Sequence, residues 1–203
     1  MMPGLMKKTK QSLMRQESGF TLIEMLIGMA MGLVILAGLT MVFVSLNDSS
    51  RAVTSRTERM GDLFLVSQVM QGELRQSRSA ELATNTVATD LTARGVTPPS
   101  GYPVSFPTLP YWDATTKTIT YQDLDGNAGI FQYQRTSNDR IYWLRADSSI
   151  TQFEELIRDL NTATGVTVTS AGGVMTVKLS ATYTNEEKVS KDLDITFKTR
   201  PRN

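Results

Sequence analysis

The feature that most constrains this chain is an apolar run from Phe20 to Leu46, FTLIEMLIGMAMGLVILAGLTMVFVSL, in which Glu24 is the single charged residue. As a helix this segment would be about 40 Å long at ~1.5 Å per residue, which is enough to cross a bilayer with roughly 30 Å of hydrocarbon. The sequence therefore predicts that residues 20–46 form a transmembrane helix.

The charged residues around this run predict its orientation. Residues 1–19 carry Lys7, Lys8, Lys10 and Arg15 against Glu17 alone. The positive-inside rule places that basic end in the cytoplasm and the rest of the chain on the other side of the membrane. Of the 21 basic and 20 acidic side chains, four and one lie in residues 1–19, which leaves a net charge of −2 for residues 20–203. That balance argues against a generally basic nucleic-acid-binding surface, so DNA is not expected as a partner.

The composition excludes several kinds of chemistry. The chain has no Cys, so it can form neither a disulfide nor a thiolate metal site. It has no His, which excludes the Ser-His-Asp and Cys-His arrangements of nucleophilic catalysis. The remaining acidic and hydroxyl residues show no recognisable catalytic arrangement. We therefore expect no enzyme activity, no cofactor, no metal and no small-molecule substrate.

Three interpretations compete for the apolar run. A conventional signal peptide would have a shorter apolar core and a cleavage site after it, and no such site follows near Ser45–Ser50. A plain membrane anchor explains the length and the flanking charges but leaves Glu24 unexplained. A carboxylate inside an apolar span costs about 2.5–3.5 kcal/mol on insertion scales, so it usually has a partner and a role.

The third interpretation rests on the string Ser18-Gly19-Phe20-Thr21-Leu22-Ile23-Glu24, which resembles the type IV prepilin signature. The resemblance implies that a prepilin peptidase cleaves the bond between Gly19 and Phe20 and methylates the new amino group of Phe20. It also implies that Glu24 neutralises the N-terminal amine of a neighbouring subunit. Because a misregistered neighbour would leave two buried charges unpaired, this carboxylate would set the register between subunits.

Small residues within the run suggest a helix-packing surface. Gly28 and Gly32 form a GxxxG pair, and this spacing lets helices approach closely in lipid. The same glycines are also common in apolar helices that pack against nothing. The pattern favours a packing role only if the helix lies in a filament core.

Residues 47–79 are predicted to continue the helix in amphipathic form. No Pro interrupts residues 20–80. The expected buried stripe consists of Leu46, Val53, Met60, Leu63, Phe64, Val69, Met70 and Leu74. This half of the helix should pack against a globular domain.

Residues 80–203 are predicted to form a β-rich head domain. Residues 80–117 suggest a long irregular connection with a Pro-rich loop at 98–110. Alternating apolar and polar residues predict strands at 118–122, 130–134, 141–145, 166–170, 174–184 and 193–199, and helical spacing predicts a short helix at 150–161. Turns are expected at 138–139 and 171–173. The predicted fold class is α+β, a pilin fold with one long N-terminal helix packed on an antiparallel sheet of four to six strands.

Two segments of the head domain permit more than one interpretation. Asp123, Asp125 and Asn127 resemble the start of a calcium loop, but Gln134 stands where a calcium loop would have its bidentate Glu. The same residues are ordinary in a hairpin turn, which is the preferred interpretation. The closing segment 188–203 mixes basic and acidic residues, as a solvated edge strand and tail do, although DNA contact is an alternative.

A resemblance beyond the signature suggests a subfamily. The run Ile27–Gly38, the Asp-x-Asp-Gly hairpin, the strand ending Leu144-Arg145 and the terminal Arg202-Asn203 are similar to PilW-type minor pilins, and next to J-type pseudopilins of type II secretion. This implies a minor pilin that helps to initiate and to cap a type IV pilus. Its partners would be the prepilin peptidase, the other minor and major pilins, and the inner membrane before assembly, with the head domain in the periplasm. A membrane-anchored binding module that never assembles is the alternative from another class.

Overall fold

The computed structural model describes residues 19–79, 86–103, 106, 108–135 and 139–202. Two compact units divide the chain, Met1–Asn47 and Asp48–Asn203. The elements are α1 (Leu22–Gln76), α2 (Thr86–Ala93), β1 (Tyr111–Asp113), β2 (Thr118–Gln122), β3 (Ala128–Gln134), β4 (Arg140–Leu144), β5 (Glu154–Ile157), β6 (Val166–Ala171), β7 (Val174–Thr184) and β8 (Ser190–Thr199). Residues 1–18 of the predicted leader 1–19, Asn138 of the predicted turn, and Asn203 lie outside the described residues.

The strands of the second unit form two antiparallel sheets. The first sheet has the order β1-β2-β3-β4-β5 and the second has the order β6-β7-β8. Within each sheet, every strand pairs with its neighbour along the chain, for example Phe131 with Trp143 and Val177 with Phe197. The α+β class and the long helix on antiparallel strands are confirmed, whereas the prediction of a single sheet with four to six strands is wrong, because eight strands are divided between two sheets.

One core lies between α1 and the two sheets. Leu63, Val66, Met70 and Leu74 of α1 are buried there against aromatic residues of the five-stranded sheet and aliphatic residues of the three-stranded sheet. A second core covers the opposite side of β3, where Val87 and Leu91 of α2 contact Ile130 and Leu144 together with Phe106 and Leu109. Because successive strand residues point to opposite faces, Ile130 enters one core and Phe131 the other.

The part of α1 that follows the apolar run buries a different stripe from the one predicted. Leu63, Met70 and Leu74 are buried as expected, and Ala52 and Val66 join them. Val53, Met60 and Phe64 are 59, 41 and 55% exposed, and Leu46 is also exposed. Apolar residues therefore occupy two faces of α1, and periodicity alone cannot tell which of two apolar faces meets a sheet.

Local structure differs from the prediction at two places and agrees with it at a third. The predicted helix at 150–161 is wrong, because Glu154–Ile157 forms β5 and pairs with β4. Its apolar residues divide between the two cores, with Phe153 in one and Ile157 and Leu160 in the other. Helix α2 lies in the segment predicted to be irregular. The predicted turn at 171–173 is confirmed, with Gly172 and Gly173 at φ 58° and 73°, values that favour glycine.

Candidate processing and membrane site

The start of α1 is closed by a reciprocal pair of hydrogen bonds between Thr21 and Glu24. The backbone N–H of Thr21 donates to Glu24 Oε2 at 2.9 Å, and its hydroxyl donates to the same oxygen at 3.1 Å. The backbone N–H of Glu24 in turn donates to Thr21 Oγ1 at 3.3 Å. This is a capping box, which satisfies backbone donors that a helix N-terminus leaves without partners. Glu24 therefore has a local role that the sequence analysis did not recognise, although the Thr-x-x-Glu spacing signals it.

Only one of the two carboxylate oxygens of Glu24 takes part in the capping box. Both bonds from Thr21 end on Oε2. Within the described residues no hydrogen bond or ion pair involves Oε1. A carboxylate in an apolar segment is costly unless its oxygens have partners. Oε1 can therefore accept a hydrogen bond from a donor outside the chain.

Gly19 and Phe20 precede α1 and belong to no regular secondary structure. No other part of the described chain lies within 4 Å of the position of a Cβ at Gly19, and the Phe20 side chain is 83% exposed. Cleavage of the bond between them would place a free amine two residues before the first helical residue. Within the described residues, nothing covers this peptide bond.

The N-terminal part of α1 presents apolar side chains in every direction. Its most apolar stretch of 18 residues has a mean hydropathy of 2.4, and none of that stretch is buried within the molecule. Large apolar side chains from Leu22 to Leu46 are exposed, including Leu33, Val34 and Met41 at 64% or more. An exposed surface of this kind is unfavourable in water and requires lipid or other protein around it. This helix fits a transmembrane anchor.

Gly28 and Gly32 lie one turn apart on α1 and have nothing within 4 Å of an added Cβ. The two positions form a shallow strip on one side of the helix, since residues four apart share a face. No other described part of the chain packs against this strip.

The head-domain residues that resemble the start of a calcium loop form a turn. Asp123 accepts hydrogen bonds from the backbone and the side-chain nitrogen of Asn127 at 2.7 and 2.8 Å, and Gly126 has φ 93°. The hairpin interpretation of this segment is confirmed. In the described ranges no cluster of three or more acidic residues could hold a metal ion.

Comparison with protein families gives one match, which covers residues 14–40 and is described as a prokaryotic N-terminal methylation motif. The matched segment contains Gly19, Phe20, the capping box and most of the apolar run. Comparisons with curated proteins and with solved structures give no significant match.

Proposed function

We propose that this chain, whose methylation motif and apolar N-terminal helix mark it as a type IV pilin-like prepilin, is a minor pilin that helps to initiate assembly of a type IV pilus and caps it. The observation that carries the proposal is that the motif at 14–40 coincides with a capped helix whose apolar surface is left uncovered by the chain. Proteins of this motif family are structural subunits, so the function is assembly and recognition and does not include catalysis.

Processing is the first step of the proposed function. A prepilin peptidase would cleave between Gly19 and Phe20 and methylate the amine of Phe20. The position of this bond before α1 and the exposure of Phe20 support this assignment. The basic residues of 1–19 would remain in the cytoplasm until cleavage, and the head domain would face the periplasm.

Glu24 would then set the register between subunits. In the single chain Thr21 satisfies Oε2, and Oε1 is left for the Phe20 amine of a neighbouring subunit. The capping box fixes the orientation of the carboxylate before assembly, so little side-chain entropy is lost on pairing. A subunit in the wrong register would leave an amine and a carboxylate unpaired in an apolar environment, which is costly.

Assembly requires surfaces that meet other pilins. Gly28 and Gly32 would allow a neighbouring helix to approach α1 closely. The exposed Val53, Met60 and Phe64 would extend the contact beyond the apolar run. Other minor and major pilins are the proposed partners, and the inner membrane holds the subunit before it enters a filament.

Two other functions are compatible with the motif. A J-type pseudopilin of type II secretion would share the processing, the helix and the membrane location, and would differ in the machine that it serves. The similarity of Ile27–Gly38 and the Asp-x-Asp-Gly hairpin to PilW-type minor pilins favours the pilus. A periplasmic binding module that stays anchored and never assembles would need neither cleavage nor Glu24.

The test is the intact mass of the protein purified from cells with and without a functional prepilin peptidase. The expected product in peptidase-positive cells begins at Phe20 and carries one additional methyl group. In cells without the peptidase the chain should retain residues 1–19. A chain that retains residues 1–19 in both strains would contradict the proposal and would favour the plain anchor.

A further inference from the structure

A polar cleft of about 190 Å³ opens in the head domain where four segments of the chain meet. These segments are the residues after α1, the approach to β1, the turn between β6 and β7, and the tail after β8. Backbone hydrogen bonds hold two of them together, since Ser79 N–H donates to Arg202 O at 2.8 Å and Arg202 N–H donates to Ser77 O at 3.1 Å. The cleft is therefore built by the fold and does not depend on one flexible loop.

The polar lining of the cleft combines a cation with several neutral hydrogen-bonding groups. Arg200 contributes a guanidinium, and Ser79, Thr108 and Ser170 contribute hydroxyls. All four side chains are exposed. Gly172 and Gly173 contribute backbone atoms to the lining, because glycine has no Cβ to cover them. The space around both positions is open, since an added Cβ would meet nothing within 4 Å. No acidic residue is among the described residues that line the cleft.

Arg200 has no counter-ion in the described part of the chain. The ion pairs of the described residues use Arg59, Arg94, Arg140, Arg145, Arg158 and Lys178, and none of them uses Arg200. An exposed cation without a counter-ion among the described residues, in a cleft that also carries hydroxyls, can pair with an anionic, hydrogen-bonding group.

The rest of the side-chain lining is apolar. Leu109 and Met175 are buried in the structure yet reach the cleft, and Pro110 and Pro201 flank them. The volume is far larger than the ~10–15 Å³ that a single water molecule needs, so the cleft has room for a group of several heavy atoms. One cation, three hydroxyls and an apolar floor match a ring that carries hydroxyls, C–H faces and one negative charge.

We propose that this cleft binds an acidic saccharide, a sugar ring bearing a carboxylate or a phosphate, with Arg200 pairing the charge and Ser79, Thr108 and Ser170 bonding the hydroxyls. The saccharide is a ligand and undergoes no reaction. The proposal is independent of processing at Gly19, since every lining residue lies in the second unit of the chain. It assigns to the head domain a recognition role in addition to assembly.

The experiment is isothermal titration calorimetry on the full mature chain in detergent micelles. The probes are galacturonic acid, glucose 6-phosphate, glucose and inorganic phosphate. Both acidic sugars, or one of them, should bind at least about tenfold more tightly than glucose and inorganic phosphate, because a charge-assisted hydrogen bond and the ring contacts act together. Whichever acidic sugar binds more tightly identifies the charged group.

The matched variants are Arg200→Gln and Arg135→Gln. Arg135 is also exposed and also lacks an ion pair within the described residues, but it does not line the cleft. Arg200→Gln should lose at least about tenfold in affinity with an unchanged thermal midpoint, and Arg135→Gln should bind as the wild type does. Ser170→Ala should weaken the sugars and leave the binding of phosphate unchanged.

Three results would overturn the proposal. One is that neither acidic sugar binds. Another is that Arg200→Gln binds both sugars as tightly as the wild type. The third is that inorganic phosphate binds as tightly as the tighter-binding acidic sugar, since the ring would then contribute nothing.

Discussion

The ring of Tyr121 lies over the backbone of Gly129, its partner across β2 and β3. A Cβ at Gly129 would overlap the ring and its hydroxyl. The hydroxyl is fixed in place, because it donates to Glu73 Oε2 at 3.0 Å and accepts from Trp143 Nε1 at 2.9 Å. The absence of a side chain at Gly129 thus permits a contact that joins α1 to the five-stranded sheet.

Gly129→Ala is expected to destabilise the folded chain by about 1–3 kcal/mol, the usual cost of overpacking, because the Tyr121 ring cannot move without breaking its hydrogen bonds. Urea unfolding of the mature chain in detergent measures the change. Gly61→Ala is the matched control, since Gly61 lies within α1 with open space around it and Ala is favoured in helices by up to about 1 kcal/mol. Equal stability of the two variants would contradict the prediction.

Arg94 is expected to hold α2 on the five-stranded sheet. Its guanidinium donates to the carbonyls of Ala128, Arg145 and Ile150 at 2.7, 2.9 and 2.6 Å and pairs with Asp90 at 3.4 Å. Arg94→Met should lower the free energy of unfolding by about 3–5 kcal/mol, because it removes the donor to three carbonyl oxygens and the cation that pairs with Asp90. Asp90 Oδ2 would keep only the hydrogen bond from the Ala128 N–H at 3.1 Å among those described.

Arg158→Gln is the control for Arg94, because Arg158 is paired with Glu155 but its side chain is 62% exposed. An exposed pair of this kind is worth about 0–1 kcal/mol, so the control should unfold almost as the wild type does. If the free energy of unfolding of Arg94→Met fell by less than about 1 kcal/mol, the hydrogen bonds of Arg94 would not be a major source of stability.

Alkaline pH should unfold the head domain through its buried tyrosines. Burial raises the pKa of Tyr102 and of Tyr121 well above the ordinary value of 10.0, with the charge of Glu73 adding to the effect at Tyr121, and burial raises the pKa of Tyr133 to about 12. A raised pKa means that the folded state favours the neutral phenol. Its contribution to stability is therefore complete below about pH 10 and is lost as the pH rises towards and beyond 12.

Ultraviolet absorbance of tyrosinate, recorded together with circular dichroism, measures this alkaline transition. Ionisation of Tyr121 and Tyr102 should coincide with loss of structure. Tyr121→Phe should reduce the steepness of the stability loss above about pH 10, because one phenol with a raised pKa is gone. Complete ionisation of all tyrosines near their ordinary pKa in a folded chain would refute the prediction.

Glu24→Gln separates helix capping from the proposed charge pairing. A Gln can keep the capping box with Thr21, since Gln also serves at this position, but it cannot form an ion pair with an amine. We expect Glu24→Gln to be processed normally, to keep its helix and to enter filaments poorly. The measurements are intact mass for processing and the amount of the subunit in sheared filaments for assembly. Normal assembly of Glu24→Gln would show that capping, not charge pairing, is what assembly requires.

Gly28→Ile is expected to reduce assembly without affecting the isolated chain. Space is open around Gly28, so the larger side chain meets nothing within the molecule, but it would hold a neighbouring helix away. Ala30→Ile is the control, because residue 30 lies on the opposite side of α1 from residues 28 and 32. Equal amounts of the two variants in filaments would exclude a packing role for the glycine strip.

Much of the local structure could be predicted from sequence. Strands β2 and β7 have the predicted bounds, and the turns at Gly172 and Asp123 follow from residues that tolerate those conformations. Glu154–Ile157 could not be predicted correctly, because its apolar spacing fits a helix and only pairing with β4 makes it a strand. The capping role of Thr21 was not predicted, because the same residues, Thr21 to Glu24, also match the prepilin signature.

The sequence by itself determined the character of the N-terminal region and the α+β class. A run as long and apolar as Phe20–Leu46 needs lipid or other protein around it. The residues around Gly19 and Glu24 resemble the prepilin signature and so predict processing by a prepilin peptidase. Only the tertiary structure decided which face of α1 the sheets cover, how eight strands divide into two sheets, and which segments meet at Arg200. Those outcomes depend on contacts between residues far apart in the chain, and local periodicity carries no information about such contacts.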